Sequence, residues 1–340
     1  MRAVIVGAGA AGLLHAMSYR AHGVAIAGVY DVDAGRARAL AELVGARALA
    51  HLDDCVAERA TFVSVTSPPS FHVSQAARFA DGRRLVVVEK PVATTSEDLA
   101  ILARLPGCYP VVQWRKGRAA VALRAAIARG ELGPCPSVSI DLSLARDDAY
   151  FARGRSTLAG WGCGALLSIG IHAIDLAVHV LGERPVRVTG ALGSGRGLEV
   201  ETQAVTSLEL ASGALVSARI SFDGGADDAR FVVSGGGVTA ELSGSEEDLT
   251  ARPIAWRTGS ARRLADLVAL ERSIAAPTAP PLVVPYLGDL VAQARLGGAE
   301  AIAAPTMADC FDAHLAILRV YEHARQERRH DGAPSCSLSA

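Results

Sequence analysis

A chain of 340 residues, 50% hydrophobic and 20% charged, exceeds one ordinary core, so two domains are expected and extensive disorder is excluded. Lysine plus arginine number 34 against 35 aspartates plus glutamates; without a basic excess, neither a nucleic-acid partner nor an anionic membrane surface is expected. The six cysteines, Cys55, Cys108, Cys135, Cys163, Cys310 and Cys336, form no C-x-x-C pair, which argues against a disulfide framework or a metal site and for a reducing cytoplasm.

Along the first part, apolar runs alternate with helical patterns, as a parallel sheet covered on both faces requires. Ala3–Val6 and Val24–Tyr30 read as strands, with Ala11–His22 and a stretch ending at Val44 as helices. Phe62–Val65 and Leu85–Val88 are further β-branched strands, and Tyr109–Gln113 closes the series. A helix over Arg115–Gly130 follows, stopped by Gly130-Glu131-Leu132-Gly133-Pro134. The second part alternates with period two in Ser137–Ala145, Val186–Leu192, Glu199–Leu210, Ala214–Phe222, Phe231–Ser234 and Val238–Leu242. Such strands bury one face only, the usual state of an antiparallel sheet. A helix over Ala165–Leu181 lies among them. Pro277–Pro285 reads as a proline-rich connector, and Tyr286–Leu296 and Ala308–Arg325 as helices.

Two segments imitate export or membrane signals. Met1–Gly7 is apolar after a single Arg2, but no polar cleavage region follows. Trp161–Gly182 is long enough to span a bilayer, yet it carries His172, Asp175 and His179, and three ionisable groups at that depth are costly. A soluble protein with a buried helix is expected.

Gly7-Ala8-Gly9-Ala10-Ala11-Gly12 fits G-x-G-x-x-G between a strand and a helix. Gly7 permits the tight turn, Gly9 the close approach of a pyrophosphate, and Gly12 close packing of helix on strand. Ala10 and Ala11 open the helix, whose N–H groups and dipole face the phosphates. The second strand ends at Asp31, placed to accept from both ribose hydroxyls and to repel a 2′-phosphate. NAD is the expected cofactor, with NADP disfavoured; Arg36 either meets such a phosphate or is a solvated helix residue.

Glu89-Lys90-Pro91 follows a strand, at the carboxyl end where open α/β sheets bind ligands. Lys90 there could hold a substrate hydroxyl, and Pro91 could be cis. In Gly162-Cys163-Gly164 and the helix after it, Ser168, His172, Asp175 and His179 recur every three or four residues. They share one helical face, with Leu167, Ile171, Ile174 and Val178 left for the core. A polar stripe on so apolar a helix points to a cleft.

With these motifs, Val65-Thr66-Ser67-Pro68-Pro69-Ser70-Phe71-His72 and Gly170-Ile171-His172-Ala173-Ile174-Asp175-Leu176, the chain resembles the glucose–fructose oxidoreductase/inositol dehydrogenase/rhizopine catabolism (Gfo/Idh/MocA) family. The resemblance implies an α/β fold with an N-terminal Rossmann domain over 1–118 and a C-terminal α/β domain over 119–326. The latter has an open, mostly antiparallel sheet used in a homodimer or homotetramer; residues 327–340, lacking a periodic apolar face, form a mobile tail. It implies that Lys90 and His172 bind the reacting hydroxyl of a sugar, aminosugar or cyclitol and that His172 takes its proton. Asp175 matches a position contacting substrate hydroxyls, and Thr66, Pro68, His72 and Glu89 positions beside the cofactor. For His72, a helix-start residue touching no ligand is the alternative. Gln113-Trp114-Arg115-Lys116 matches a segment near the active site, where Arg115 either pairs with an anionic substrate group or is solvated. Trp161 and Tyr150 are a sugar-stacking wall or interdomain packing. Polyol-oxidising members carry an acid four positions before the histidine; this chain has Ser168, which can hydrogen-bond substrate but adds no charge. An imine or enol-type reductase and a non-catalytic NAD-sensing regulator are the alternatives.

Overall fold

Unbroken apolar runs build most of the first sheet: β1 (Arg2–Val6), β2 (Ala25–Tyr30), β3 (Arg47–Ala48), β4 (Phe62–Val65), β5 (Leu85–Val88) and β6 (Cys108–Pro110). The structure is a computed structural model that describes residues 1–157, 163–246, 249–274, 284–297 and 304–330. These fall into two units: Met1–Gln113 with Thr278–Phe311, and Trp114–Pro277 with Asp312–Ala340. The boundary expected after residue 118 thus lies at Gln113–Trp114, and residues 278–311 return to the first unit.

In the first unit, β4 and β5 are buried throughout, as is β1 from Ala3 onward, as strands covered on both faces must be. The helices are α1 (Ala10–Ala21), α2 (Ala34–Val44), α3 (Leu52–Ala57), α4 (His72–Phe79) and α5 (Ser96–Leu102). All strand neighbours run parallel in the order β3-β2-β1-β4-β5-β6. Strand order reverses between β1 and β4, the switch point at which such sheets bind ligands. The strand expected over Tyr109–Gln113 ends earlier. Val111 donates a last bond to Val88 (3.0 Å), and beyond it β5 has turned into Glu89-Lys90-Pro91.

The second unit opens with a 3-10 turn, Gln113–Lys116, shared with the boundary, and then α6 (Arg118–Ala128). The helix expected from Arg115 therefore starts three residues late. Gly117 caps it with extended backbone, and a Cβ there would lie 2.2 Å from Thr250 Oγ1. In chain order follow β7 (Ser137–Ala145), α7 (Asp148–Phe151), α8 (Ile171–Leu181), β8 (Pro185–Gly193), β9 (Gln203–Leu210), β10 (Leu215–Ser221), β11 (Asp223–Gly235), β12 (Val238–Gly244), β13 (Ala255–Thr258) and α9 (Ala261–Ser273). The sheet order is β13-β12-β11-β7-β10-β9-β8. Only β7 and β10 pair parallel, from Val138 opposite Val216 to Ser143 opposite Ser221. Val138, Ile140, Leu142 and Leu144 are buried while Ser137 and Ser139 face outward, so one face makes the core and the other is open.

Helix α10 (Pro285–Gly297) packs on α1, where a Cβ at Gly288 would lie 2.5 Å from His22 Nε2. The last helix, α11 (Met307–His330), passes the expected end at Arg325, so residues 327–330 of the expected tail are helical. Residues 331–340 of that tail, and 277–283 of the proline-rich connector, lie outside the described residues. No described helix is long and apolar enough to cross a membrane.

Helix α9 and strand β13 are held together by one buried carboxylate. Glu271 accepts from Ile254 N (3.0 Å) and Trp256 Nε1 (2.9 Å), with Arg118 Nη2 at 3.5 Å. Glu271→Ala leaves these donors buried and unanswered, and should lower stability by about 2–4 kcal/mol in urea unfolding; a loss below about 0.5 kcal/mol would contradict this.

Candidate active site

In the first unit the glycine loop follows β1. Gly7 has φ +105° and donates to Tyr30 O (2.8 Å); any L-residue there would be strained. A Cβ at Gly12 would stand 2.0 Å from Gly7 O, so only glycine lets α1 approach β1 this closely. A Cβ at Gly9 would meet nothing within 4 Å, which leaves open space at the N-terminus of α1. That terminus has no side-chain cap and no acid in its first turn, and Ala10 and Ala11 begin it. Unanswered N–H groups, a positive dipole end and open space together suit a pyrophosphate.

Asp31 Oδ2 accepts from Ala8 N (2.8 Å), while Oδ1 accepts from Asp33 N (2.9 Å) and Arg36 Nη2 (3.2 Å). One carboxylate thus joins the glycine loop to the end of β2, and Arg36 is its ion-pair partner. Thr66 Oγ1 lies 2.8 Å from Gly7 O and 3.0 Å from Val6 O, tying β4 to the same loop. Pro68 begins the turn Pro69–Phe71 that leads into α4.

His72 is fully buried, with Nε2 2.8 Å from Ser67 O and Nδ1 3.0 Å from Pro91 O. Its ring joins the two loops. Burial chiefly pushes its pKa below the usual histidine value, against the carbonyls and Glu89.

Behind Lys90 runs a polar chain that the sequence did not reveal. Tyr19 OH is 3.0 Å from Ser64 Oγ, Ser64 Oγ 2.8 Å from His15 Nδ1, and His15 Nε2 2.9 Å from Glu89 Oε1. Glu89 Oε2 accepts from Lys90 N (2.9 Å), and the Lys90–Pro91 bond is cis. Burial pushes the Glu89 carboxyl up, but His15 and then Lys90 outweigh it and hold the group below the usual carboxylate range. The side chain of Glu89 therefore secures the turn from within.

In the second unit, the helix expected over Ala165–Leu181 begins as a wider π turn, Leu166–Gly170, and continues as α8. Glu201 caps it: its backbone oxygen accepts from Ala165 N (3.0 Å), and Oε1 from Leu166 N (2.9 Å) and Tyr321 OH (2.5 Å). Gly164 is required because a Cβ there would lie 2.2 Å from Glu201 O. Burial, with Glu201 beside it, pushes the Tyr321 hydroxyl well above its ordinary value.

Ser168, His172 and Asp175 are buried on this helix. Two residues read separately as substrate ligands meet: Arg115 Nε donates to Asp175 Oδ2 (2.7 Å) and Nη2 to Oδ1 (2.5 Å), with both side chains 4% exposed. The imidazole of His172 stacks on Trp114, with centroids 5.4 Å apart and planes at 23°. Its Nε2 lies 3.7 Å from Glu246 Oε1. In the sequence Trp114 stands out only as a neighbour of Arg115, and Glu246 carries no signal, since its acid-rich turn resembles any solvated loop. Trp161 lies outside the described residues. Tyr150 sits among arginines, with Arg155 4.3 Å and Arg146 5.2 Å from its ring centroid.

Residues 1–106 match the family model described as "Oxidoreductase family, NAD-binding Rossmann fold", and residues 120–241 the GFO/IDH/MocA C-terminal domain. The chain belongs to the Gfo/Idh/MocA oxidoreductase family, and its first unit is an NAD-binding Rossmann fold. Similar solved structures include the WlbA dehydrogenase from Bordetella pertussis in complex with NADH and UDP-GlcNAcA (20% identity, 96% of each chain, TM-score 0.82). An oxidoreductase domain protein from Kribbella flavida matches at 19% identity over 96% of this chain and 97% of that one (TM-score 0.76). Levoglucosan dehydrogenase with NADH and levoglucosan matches at 17% identity with the same coverage and TM-score.

The Asp31–Arg36 pair sets a test of cofactor choice. Asp31→Ala should weaken NADH binding about tenfold and raise affinity for NADPH relative to NADH by at least about tenfold, since Arg36 is released toward a 2′-phosphate. Fluorescence titration measures both; an unchanged ratio would contradict the assignment.

Proposed function

We propose that the protein is an NAD-linked dehydrogenase acting on a secondary alcohol of a sugar, aminosugar or cyclitol, or on the matching ketone. The observation that carries this reading is Lys90 at the end of β5, on the same sheet edge as the glycine loop and anchored by the Tyr19–Ser64–His15–Glu89 chain. A lysine whose backbone is held at the same sheet edge as the glycine loop can offer its ammonium to the oxygen of a reacting carbinol. NAD, when bound there, supplies hydride acceptance or donation.

Lys90 holds and polarises the substrate oxygen, and His172 takes its proton or returns it. Trp114 keeps the imidazole plane fixed, and Ser168 anchors a neighbouring group. Arg115 and Asp175 occupy one another's charges, so their part is to hold the segment Trp114–Lys116 against α8. Asp175→Asn would consequently report on an unbalanced buried guanidinium rather than on a polyol contact. The sugar class is supported by neighbours crystallised with UDP-GlcNAcA or levoglucosan. We assign the protein to the cytoplasm as a homodimer or homotetramer, with a second copy on the open sheet face, where Val186, Val205 and Leu215 are each more than half exposed.

His172→Ala should reduce turnover at least about a hundredfold, the lower range of general acid–base catalysis, with NADH affinity kept. Absorbance of NADH across a panel of sugars, nucleotide sugars and cyclitols measures this; near-normal turnover in the variant would refute the role. Lys90→Ala should lose at least as much and, with NADH affinity retained, would separate oxygen binding from cofactor binding.

A further inference from the structure

We propose that Glu246 is the counter-ion of a protonated His172, a positioning residue that acts through the imidazole. The proposal rests on the reading of His172 as proton acceptor. When an alcohol is oxidised, its O–H proton passes to His172 and its C–H hydrogen leaves with the bonding pair to bound NAD⁺. The C=O bond forms, and Glu246 gains and loses no proton. The imidazole then carries a full positive charge in a place where its side chain is 3% exposed. Such a charge needs an opposite one close by.

His172's own helix does not provide it. Ser168 is neutral, and both oxygens of Asp175 are taken by Arg115 (2.7 and 2.5 Å). The turn after β12 does provide it: Glu246 Oε1 lies 3.7 Å from His172 Nε2, with its side chain 21% exposed. At that separation the contact is one of charge rather than a direct hydrogen bond, and a single hydroxyl can lie within hydrogen-bond reach of both atoms. The face of the ring is covered by Trp114, whose π-system also favours the cationic form. Of the other charged groups on the packed elements, Arg115 and Asp175 balance, Lys116 is on the same turn as Trp114, and Glu201 caps the π turn. Helix α6 brings Arg118, beside Glu271, and Arg124, which donates to the backbone oxygen of His179 on α8, and β10 brings Arg219, paired with Asp141. Glu247 and Asp248 follow Glu246 in the chain and lie outside the described residues.

The test reads the imidazole directly and needs no substrate. The full-length protein is labelled at histidine, His172 is assigned by loss of its signal in His172→Gln, and the ring is titrated by NMR in wild type, Glu246→Gln and Glu246→Asp. Removing the carboxylate should lower the titration midpoint of His172 by about one pH unit, and aspartate should restore part of the shift. NADH affinity serves as the check of folding. A midpoint in Glu246→Gln within about 0.2 units of wild type, or an imidazole in wild type that stays neutral down to about pH 5, would overturn the proposal. If the shift is found but no sugar or cyclitol is oxidised, the ion pair stands and the dehydrogenase reading fails; activity without the shift has the reverse meaning.

Discussion

A parallel sheet buried on both faces can offer its backbone and neighbouring loops to a ligand only at its ends, and that constraint arranges the first unit. Four adjacent strands, in the order β2-β1-β4-β5, deliver Asp31, the glycine loop, Thr66 and Glu89-Lys90-Pro91 to one carboxyl edge. Gly12 against Gly7 sets how closely α1 seats, because a methyl group would occupy the space of a carbonyl oxygen. The Tyr19–Ser64–His15–Glu89 chain then crosses an apolar interior with each member hydrogen-bonded to the next. A network so satisfied is rigid, whereas a half-satisfied one would be costly. Lys90 inherits that rigidity through its own backbone N–H.

The second unit solves the opposite problem, of keeping polar groups on a helix with almost no solvent around it. Glu201 caps the π turn, the guanidinium of Arg115 pairs with Asp175, and His172 stacks on Trp114 with Glu246 3.7 Å from its Nε2. Buried ion pairs add little net stability because desolvation offsets attraction, but they fix orientation. Arg115 and Trp114 are chain neighbours, so the bidentate pair with Asp175 also fixes the ring against which the imidazole lies.

Much of this architecture was legible in the residues. The period-two run Ser137–Ala145 forms a strand with those bounds, and the glycine loop and Asp31 lie where their spacing put them. What stayed hidden has identifiable causes. Helix α9 buries only Leu267, Leu270 and Glu271, too narrow a face for a periodicity argument. A π turn has no compositional signature, so the helix at Leu166 read as ordinary. Arg115 and Asp175 are 60 residues apart, and each resembled a substrate ligand until the pairing showed that they answer one another. His15 lies three positions after Gly12, in a segment whose glycines drew the reading.

The most direct measurement is a crystal structure of the protein with NADH and a bound sugar or non-reacting analogue. One substrate oxygen should lie within about 3.2 Å of both Lys90 Nζ and a ring nitrogen of His172, with its carbon about 3–3.5 Å from nicotinamide C4. A complex in which either side chain points away from that oxygen, or in which the sugar binds remote from the nicotinamide, would contradict the roles of these residues.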